Sequence, residues 1–137
     1  MLLIDANAVL RYILNDNSDM ANKVEELLDS KTVTLRNEIL AEVVYVLEKV
    51  YKLPRDRIHS VIVQFLDLEN TNICDKAVIL LALETFAQTR LDFVDTLLYA
   101  YHTIEEVDIF TFDKKLITIL LSPVRNVHQQ PIINVSR

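Results

Sequence analysis

The sequence predicts an α/β domain built on a parallel sheet. Short apolar runs alternate along the chain with longer amphipathic stretches, which is the pattern of strands alternating with helices. The first run, residues 2–4, is continuously apolar, as expected of a strand covered on both faces. With 137 residues, 51% of them apolar, the chain has the length and composition of one globular domain. We therefore expect residues 1–137 to form a single domain.

The first half of the chain is predicted to alternate strands and helices. The apolar positions indicate a strand over 2–4, a helix ending at a polar turn over 15–18, a helix from 18 or 19 to about 28, and a strand over 32–35. Asn37 is expected to cap a third helix that runs to about Tyr51. Pro54 is expected in the first turn of the next helix.

The second half continues the alternation. It predicts a strand over 72–74, a helix capped by Asp75 that runs to about 89, a helix over 93–106, a buried strand over 109–111, a helix over 114–121 and an edge strand at 132–133. The one cysteine, Cys74, lies in an apolar–polar alternation and is expected to be a small buried hydrophobic residue.

The chain contains no glycine, which excludes several nucleotide-binding and hydrolase motifs. A P-loop, a Rossmann turn and a nucleophile elbow each require glycine where the backbone turns sharply or approaches a phosphate. Left-handed turn positions must be occupied by other residues, and asparagine tolerates positive φ best. We therefore expect asparagine at those turns.

The charge balance limits the kinds of partner. The net charge is −6, and neither half of the chain forms a basic tail, so binding to nucleic acid by bulk charge is disfavoured. A bound divalent cation is one way to overcome that repulsion. The sequence shows neither a signal peptide nor the ~20 consecutive apolar residues of a membrane span. We expect a soluble, cytoplasmic protein.

Two aspartates directly follow predicted strands. Asp5 comes after the strand over residues 2–4, and Asp113 comes after the strand over residues 109–111. Ligands of parallel α/β sheets bind outside the carboxyl ends of the strands, so both side chains are candidates for a site at that edge. Each aspartate is equally well placed to cap the helix that follows it, and the sequence leaves both interpretations open.

Further acids lie on predicted helices. Glu42 is at the flank of the apolar arc of its helix, whereas Glu38 and Glu48 fall on the solvated side. Asp92 and Asp95 are three residues apart and share one helix face. Asp95 is nearer the apolar arc, and Asp92 is expected to cap the helix.

Carboxylates gathered in one pocket must be protonated or bind a cation. A close pair repels by up to about 4 kcal/mol at an effective dielectric constant of about 20. Oxygen ligands favour Mg²⁺ or Mn²⁺ over zinc. A divalent ion held by carboxylates attracts phosphate and activates water, so such a set favours phosphodiester hydrolysis.

Four segments resemble the four motifs of PIN-domain nucleases, in the order and spacing of that family. They are residues 3–12 (LIDANAVLRY), 39–43 (ILAEV), 91–98 (LDFVDTLL) and 110–113 (FTFD). The small chain is most similar to the VapC-like toxins, which are stand-alone PIN domains. One departure is the turn over residues 105–108 (EEVD), where relatives commonly have a glycine.

The resemblance implies a PIN-like three-layer fold, with a parallel sheet flanked by helices, and an acidic pocket that cuts RNA with Mg²⁺ or Mn²⁺. It implies catalytic roles for four acids, Asp5, Glu42, Asp95 and Asp113. Asp5 and Asp95 look like the main metal ligands, with Asp113 as a further ligand, and Glu42 and Asp113 would position water.

The resemblance also extends to residues beside the acids and to partners. Asn7 and Thr111 match small polar positions of the family, and Asp92 often has an acidic counterpart. The VapC-like subgroup implies an RNA substrate, an antitoxin protein, a homodimer and no membrane. The basic side chains Arg11, Lys114 and Lys115 are either phosphate contacts at the rim or solvated helix charges.

Several alternatives remain. The chain could be a non-catalytic PIN-fold binding module, although such domains usually lack one or more acids. A haloacid-dehalogenase-like phosphatase also begins with an aspartate after the first strand, but it requires a second acid where Asn7 stands. The apolar helices around Ile58 and over residues 78–83 are either core or a patch for a partner.

Overall fold

The computed structural model describes residues 1–122 and the backbone of residues 134–135. The chain divides into two compact units, residues 1–76 (unit 1) and residues 77–137 (unit 2). The strands are β1 (Leu2–Leu3), β2 (Val33–Leu35), β3 (Thr71–Ile73), β4 (Phe110–Thr111) and β5 (Asn134–Val135). The helices are α1 (Ala6–Leu14), α2 (Ser18–Ser30), α3 (Asn37–Lys49), α4 (Arg55–Leu66), α5 (Lys76–Gln88), α6 (Phe93–Glu105) and α7 (Lys114–Leu121). Within the described residues, no helix combines the length and the apolar character needed to cross a membrane.

Unit 1 contains a parallel three-stranded sheet, which confirms the predicted fold class. β2 is the middle strand, and its Thr34 lies opposite both Leu3 of β1 and Asn72 of β3. All three residues of β2 are buried, as expected of a central strand. The expectation that the first strand is covered on both faces is wrong, because β1 lies at the edge of this sheet and the side chain of Leu3 is 54% exposed.

Two helices of unit 1, α1 and α2, begin at a side chain that caps the helix. The starts of α3 and α4 differ from the prediction. Asp5 and Asn17 each accept a hydrogen bond from a backbone N–H three residues further on, at 2.9 and 3.1 Å. The predicted cap at Asn37 is wrong, because the extended backbone of Arg36 precedes α3 and Asn37 is already helical. Pro54 also precedes its helix, with an extended ψ of 150°, rather than lying in the first turn.

Helices α3 and α4 supply much of the core of unit 1. Their buried side chains are Leu40, Val43, Val44 and Leu47 on α3 and Ile58, Ile62, Phe65 and Leu66 on α4. Glu48 was expected on the solvated side of α3, but it is only 19% exposed and accepts a 2.6 Å hydrogen bond from Nε of Arg55. This ion pair offsets the cost of removing the Glu48 carboxylate from water.

Unit 2 is built around α5, α6 and α7. Most large apolar residues of α5 are buried, among them Val78, Ile79, Leu83 and Phe86, so this helix is core rather than an open patch. A cluster of Tyr99, Ile109, Leu116 and Leu120 joins α6 and α7 around the segment before β4.

The strand pair of unit 2 is parallel and partly exposed. Phe110 and Thr111 of β4 lie opposite Asn134 and Val135 of β5. Ile109 is buried as predicted, but Phe110 is 64% exposed because successive side chains along an extended chain point to opposite faces. The edge strand expected at residues 132–133 lies outside the described residues.

Left-handed backbone occurs at four described residues, with φ from 49° to 58°: Asn15, Lys52, Asp75 and Glu106. The expectation of asparagine is confirmed at Asn15, which ends α1, whereas the other three positions carry residues that favour this region less than glycine does. Glu106 ends α6 in the turn where relatives commonly have a glycine. The buried His102 holds that turn through a 2.8 Å hydrogen bond between Nδ1 and the carbonyl oxygen of Val107.

Cys74 is exposed, which corrects the expectation of a small buried residue. The reason is a shift of the strand by one residue. β3 ends at Ile73, so Cys74 lies in the turn before α5 and not in the alternating pattern of the strand.

Candidate active site

Asp5 stands at the start of α1, directly after the buried Ile4 that follows β1. Its Oδ1 accepts the 2.9 Å hydrogen bond from the N–H of Ala8, and the side chain is exposed. The capping interpretation is therefore confirmed. A carboxylate has two oxygens, however, so a cap made by Oδ1 leaves Oδ2 able to bind a cation or a water molecule.

Asp113 has the same local arrangement in unit 2. It follows β4, and its Oδ1 accepts a 2.9 Å hydrogen bond from the N–H of Leu116 at the start of α7. The N–H of Asp113 donates to Oγ1 of Thr111 at 3.0 Å. Thr111 thus fixes the backbone that presents the carboxylate, a task that suits its small polar side chain.

Asp95 is the acid of the candidate site whose pKa is shifted. It lies in the first turn of α6 and is partly buried. Burial raises the pKa of Asp95 above its usual value, and the negative charges of Asp113 and Asp92 raise it further. The carboxylates of Asp113 and Asp92 are therefore close enough to Asp95 to repel its negative charge.

Asp92 occupies the N-cap position of α6, as predicted, but its side chain makes no cap hydrogen bond. The expected role as a side-chain cap is wrong, because no backbone N–H of α6 donates to the Asp92 carboxylate. It is exposed and contributes to the rise in the pKa of Asp95.

Asp92, Asp95 and Asp113 line one cavity of about 320 Å³ in unit 2, here called the α6–α7 pocket. It is lined by Arg90, Leu91, Asp92, Asp95, Asp113, Lys114 and Lys115. None of its three basic side chains makes an ion pair with a described residue. The pocket therefore combines a wall of carboxylates with cations that are available to an anionic ligand.

The candidate residues of unit 1 are Glu42, Asn7 and Arg11. Glu42 is exposed on α3 between the buried residues of that helix, and Asn7 is exposed in the first turn of α1. Arg11 is engaged within unit 1. Its guanidinium donates to the hydroxyl of Tyr51 at 3.0 Å and to Oδ2 of Asp16 at 2.8 Å, and both contacts raise its pKa. Neither sequence interpretation of Arg11 anticipated this role.

The carboxylate oxygens of the α6–α7 pocket are ligands that suit a hydrated Mg²⁺ or Mn²⁺. In the part of the chain that the structure describes, no three His, Cys, Asp or Glu side chains are grouped so as to enclose a metal ion. Mg²⁺ does not require such a cage, because it keeps several waters and binds through one or two carboxylates together with substrate phosphates. A cation beside Asp95 would relieve the repulsion that raises its pKa.

Comparison with protein families supplies the assignment. A family model for the PIN domain matches residues 2–119, which include all four motifs. The chain belongs to the PIN domain family. PIN domains are generally nucleases that use divalent metal ions, and the α/β elements described above are those of the PIN-like fold. No curated protein matched the sequence.

Sequence reasoning missed two features of this PIN domain. Arg90 lines the α6–α7 pocket, and its position directly before the third motif was the available signal. Phe110 and Phe112 flank Thr111 with exposed rings, a pattern visible as two aromatic residues two positions apart in an extended segment.

Proposed function

We propose that this PIN domain is a metal-dependent endoribonuclease whose catalytic acids are Asp5, Glu42, Asp95 and Asp113. The observation that carries the proposal is the α6–α7 pocket, in which Asp95 lies near Asp113 and Asp92 and its pKa is raised. Carboxylates in a cavity whose pKa is raised by burial and by nearby negative charges are found at functional sites more often than elsewhere on a protein surface.

Asp95, Asp113 and Asp5 are the residues proposed to hold the ion. Each has a carboxylate oxygen that the described hydrogen bonds leave available, at Oδ2 in Asp5 and Asp113. A bound Mg²⁺ or Mn²⁺ would supply the positive charge that draws in a phosphate and would lower the pKa of water.

The remaining residues are proposed to bind and orient the substrate. Lys114 and Lys115, with Arg90, neutralise the phosphate charge that an acidic protein would otherwise repel. Glu42 accepts a hydrogen bond from the attacking water and orients it, while Thr111 keeps Asp113 in place through the 3.0 Å contact with its N–H.

Asp5 and Glu42 belong to unit 1, and their part in the reaction rests on the order and spacing of the four motifs. A functional test settles whether the acids of both units serve one reaction. If they do, Asp5→Asn and Asp95→Asn should each lower the cleavage rate at least about 100-fold, and the double variant should be little slower than either single variant, because residues that act as a unit are not additive.

The experiment that tests the function is cleavage of a mixed RNA pool by the purified protein with Mg²⁺ or Mn²⁺ and with EDTA. We expect cleavage with either ion and none in EDTA. Glu105→Gln, which changes an exposed acid at the end of α6, is the matched control for Asp95→Asn and should keep full activity. Cleavage that survives EDTA would contradict the proposed metal dependence, and RNA binding without cleavage would favour a binding module.

We also propose that the protein is the toxin of a toxin–antitoxin pair that acts in the cytoplasm as a homodimer and is inhibited by an antitoxin protein. This proposal rests on the similarity to the VapC-like subgroup. Its test is co-expression with the product of the neighbouring open reading frame. We expect growth arrest by the PIN domain alone, rescue by the neighbour, and a dimer by light scattering. A monomer at high concentration would contradict the dimer.

A further inference from the structure

Two exposed aromatic rings lie in the chain segment that leads into the α6–α7 pocket. Phe110 and Phe112 are 64% and 66% exposed, and their centroids are 5.4 Å apart in an edge-to-face arrangement. Phe112 directly precedes Asp113, which lines the pocket. Exposing two adjacent phenyl rings is unfavourable in water, at about 25 cal/mol per Å² of apolar surface, so the pair is a candidate binding surface.

The charges next to these rings indicate what that ligand is. Lys114 and Lys115 follow Asp113 in the chain, are exposed, and make no ion pair with any described residue. They are concentrated here although the whole chain carries a net charge of −6. An exposed aromatic pair followed within three residues of the chain by unpaired lysines suits a molecule with flat apolar faces and a negatively charged backbone.

We propose that Phe110 and Phe112 form a stacking platform for unpaired nucleobases of the RNA, with Lys114 and Lys115 holding the adjacent phosphates. The inference rests on the proposed function and narrows its substrate to RNA that is single-stranded at this position. Stacking on aromatic side chains is tolerant of sequence, because every base has a π face. Bases inside an A-form duplex are already stacked on their neighbours and are not available to the platform.

The matched variants are Phe112→Leu, which keeps an apolar side chain but removes the ring, and Phe112→Tyr, which keeps the ring. Both are exposed substitutions and should leave folding unchanged. The probes are a short oligouridylate and an abasic oligomer with the same number of phosphates. Their binding is measured by fluorescence anisotropy in EDTA at low salt, so that the readout does not depend on cleavage.

The wild-type protein should bind the oligouridylate about five- to a hundredfold more tightly than the abasic oligomer. Phe112→Leu should lose most of that preference, Phe112→Tyr should keep it, and neither should change binding of the abasic oligomer. Equal binding of the two probes by the wild type, or binding of neither, would overturn the proposal. So would a Phe112→Leu variant that binds normally but no longer self-associates, because the rings would then belong to a protein interface.

The outcome separates this inference from the proposed function. A preference for the oligouridylate in a protein that cleaves no RNA with Mg²⁺ or Mn²⁺ would support the platform and contradict the nuclease. Metal-dependent cleavage without any preference between the probes would do the reverse.

Discussion

Asp95 and Asp113 lie close enough in unit 2 for their charges to interact. Burial is the main cause of the raised pKa of Asp95, and the carboxylate of Asp113 is the next. Asp113 is held in place by its cap hydrogen bond to Leu116 and by the contact of its N–H with Thr111. The folded protein therefore holds two carboxylates near each other, and their repulsion lowers its stability. A bound cation can remove that repulsion.

The raised pKa predicts a pH-dependent effect of removing Asp95. The folded state holds this proton more tightly than the unfolded chain, whose value is near 3.8, so the stabilisation is present at low pH and is lost as pH rises through the folded pKa. The stability of Asp95→Asn relative to the wild type, measured by urea unfolding, should therefore increase as the pH rises from about 4 through the folded pKa of Asp95. Glu25→Gln, on the exposed face of α2, is the control and should show a constant difference. A constant difference for Asp95→Asn as well would contradict the repulsive pair.

Metal binding should raise the melting temperature of the wild type more than that of Asp95→Asn. An ion that binds only the folded state stabilises it in proportion to RT ln(1 + [L]/Kd), and the variant lacks one proposed ligand. Thermal melts with Mn²⁺ and in EDTA buffer, which serves as the metal-free reference, provide the measurement. Identical shifts in both proteins would exclude Asp95 from the ligand set.

The cap hydrogen bonds allow charge and stability to be separated at Asp113. Asp113→Asn keeps an oxygen that can accept from Leu116, whereas Asp113→Ala loses the cap and should cost about 1 kcal/mol of unfolding free energy. We expect both variants to lose RNA cleavage and only the alanine variant to lose stability. Asp92→Asn should cost no cap energy, because the Asp92 side chain makes no such bond. Full cleavage activity in a stable Asp113→Asn would assign this residue to capping alone.

The left-handed backbone of Glu106 predicts that glycine is favourable there. Glu106→Gly should stabilise the protein by about 1 kcal/mol, since a residue with a Cβ pays roughly that much in this conformation. Glu105→Gly is the matched control one position earlier, where the backbone is helical, and it should destabilise by about 1 kcal/mol. Urea unfolding of the two variants measures both effects, and the same sign for both would contradict the assigned turn.

The sequence was most informative where local chemistry determines the structure. The bounds of α7 matched the prediction because Asp113 provides the cap and the apolar residues behind it recur with helical spacing. The sequence-based predictions failed where a contact with another helix or with a residue far away in the chain determines the position of a side chain. Glu48 is shielded because Arg55 of the next helix pairs with it, and Arg11 is held by Tyr51, forty positions away in the chain.

The acidic residues of the site could be predicted from the sequence, whereas the exposure of the neighbouring side chains and the backbone of one turn could not. Motif order pointed to Asp95 and Asp113, which the structure brings to one pocket. The exposure of Phe110 could not be deduced, because a strand as short as residues 109–111 looks the same in sequence whether one face or both faces are covered. The residue type at position 106 gave no sign of positive φ, since glutamate carries no preference for that region, and the only signal was the glycine that relatives commonly have in this turn.

The proposed role of Asp95 as a catalytic acid of a metal-dependent ribonuclease is tested most directly by the initial rate of RNA cleavage by Asp95→Asn with saturating Mn²⁺. We predict a rate at least about 100-fold below that of the wild type in a variant that is folded and at least as stable, because loss of a ligand should exceed the effect of losing an outer hydrogen bond. An Asp95→Asn protein that cleaves RNA at the wild-type rate would contradict the account.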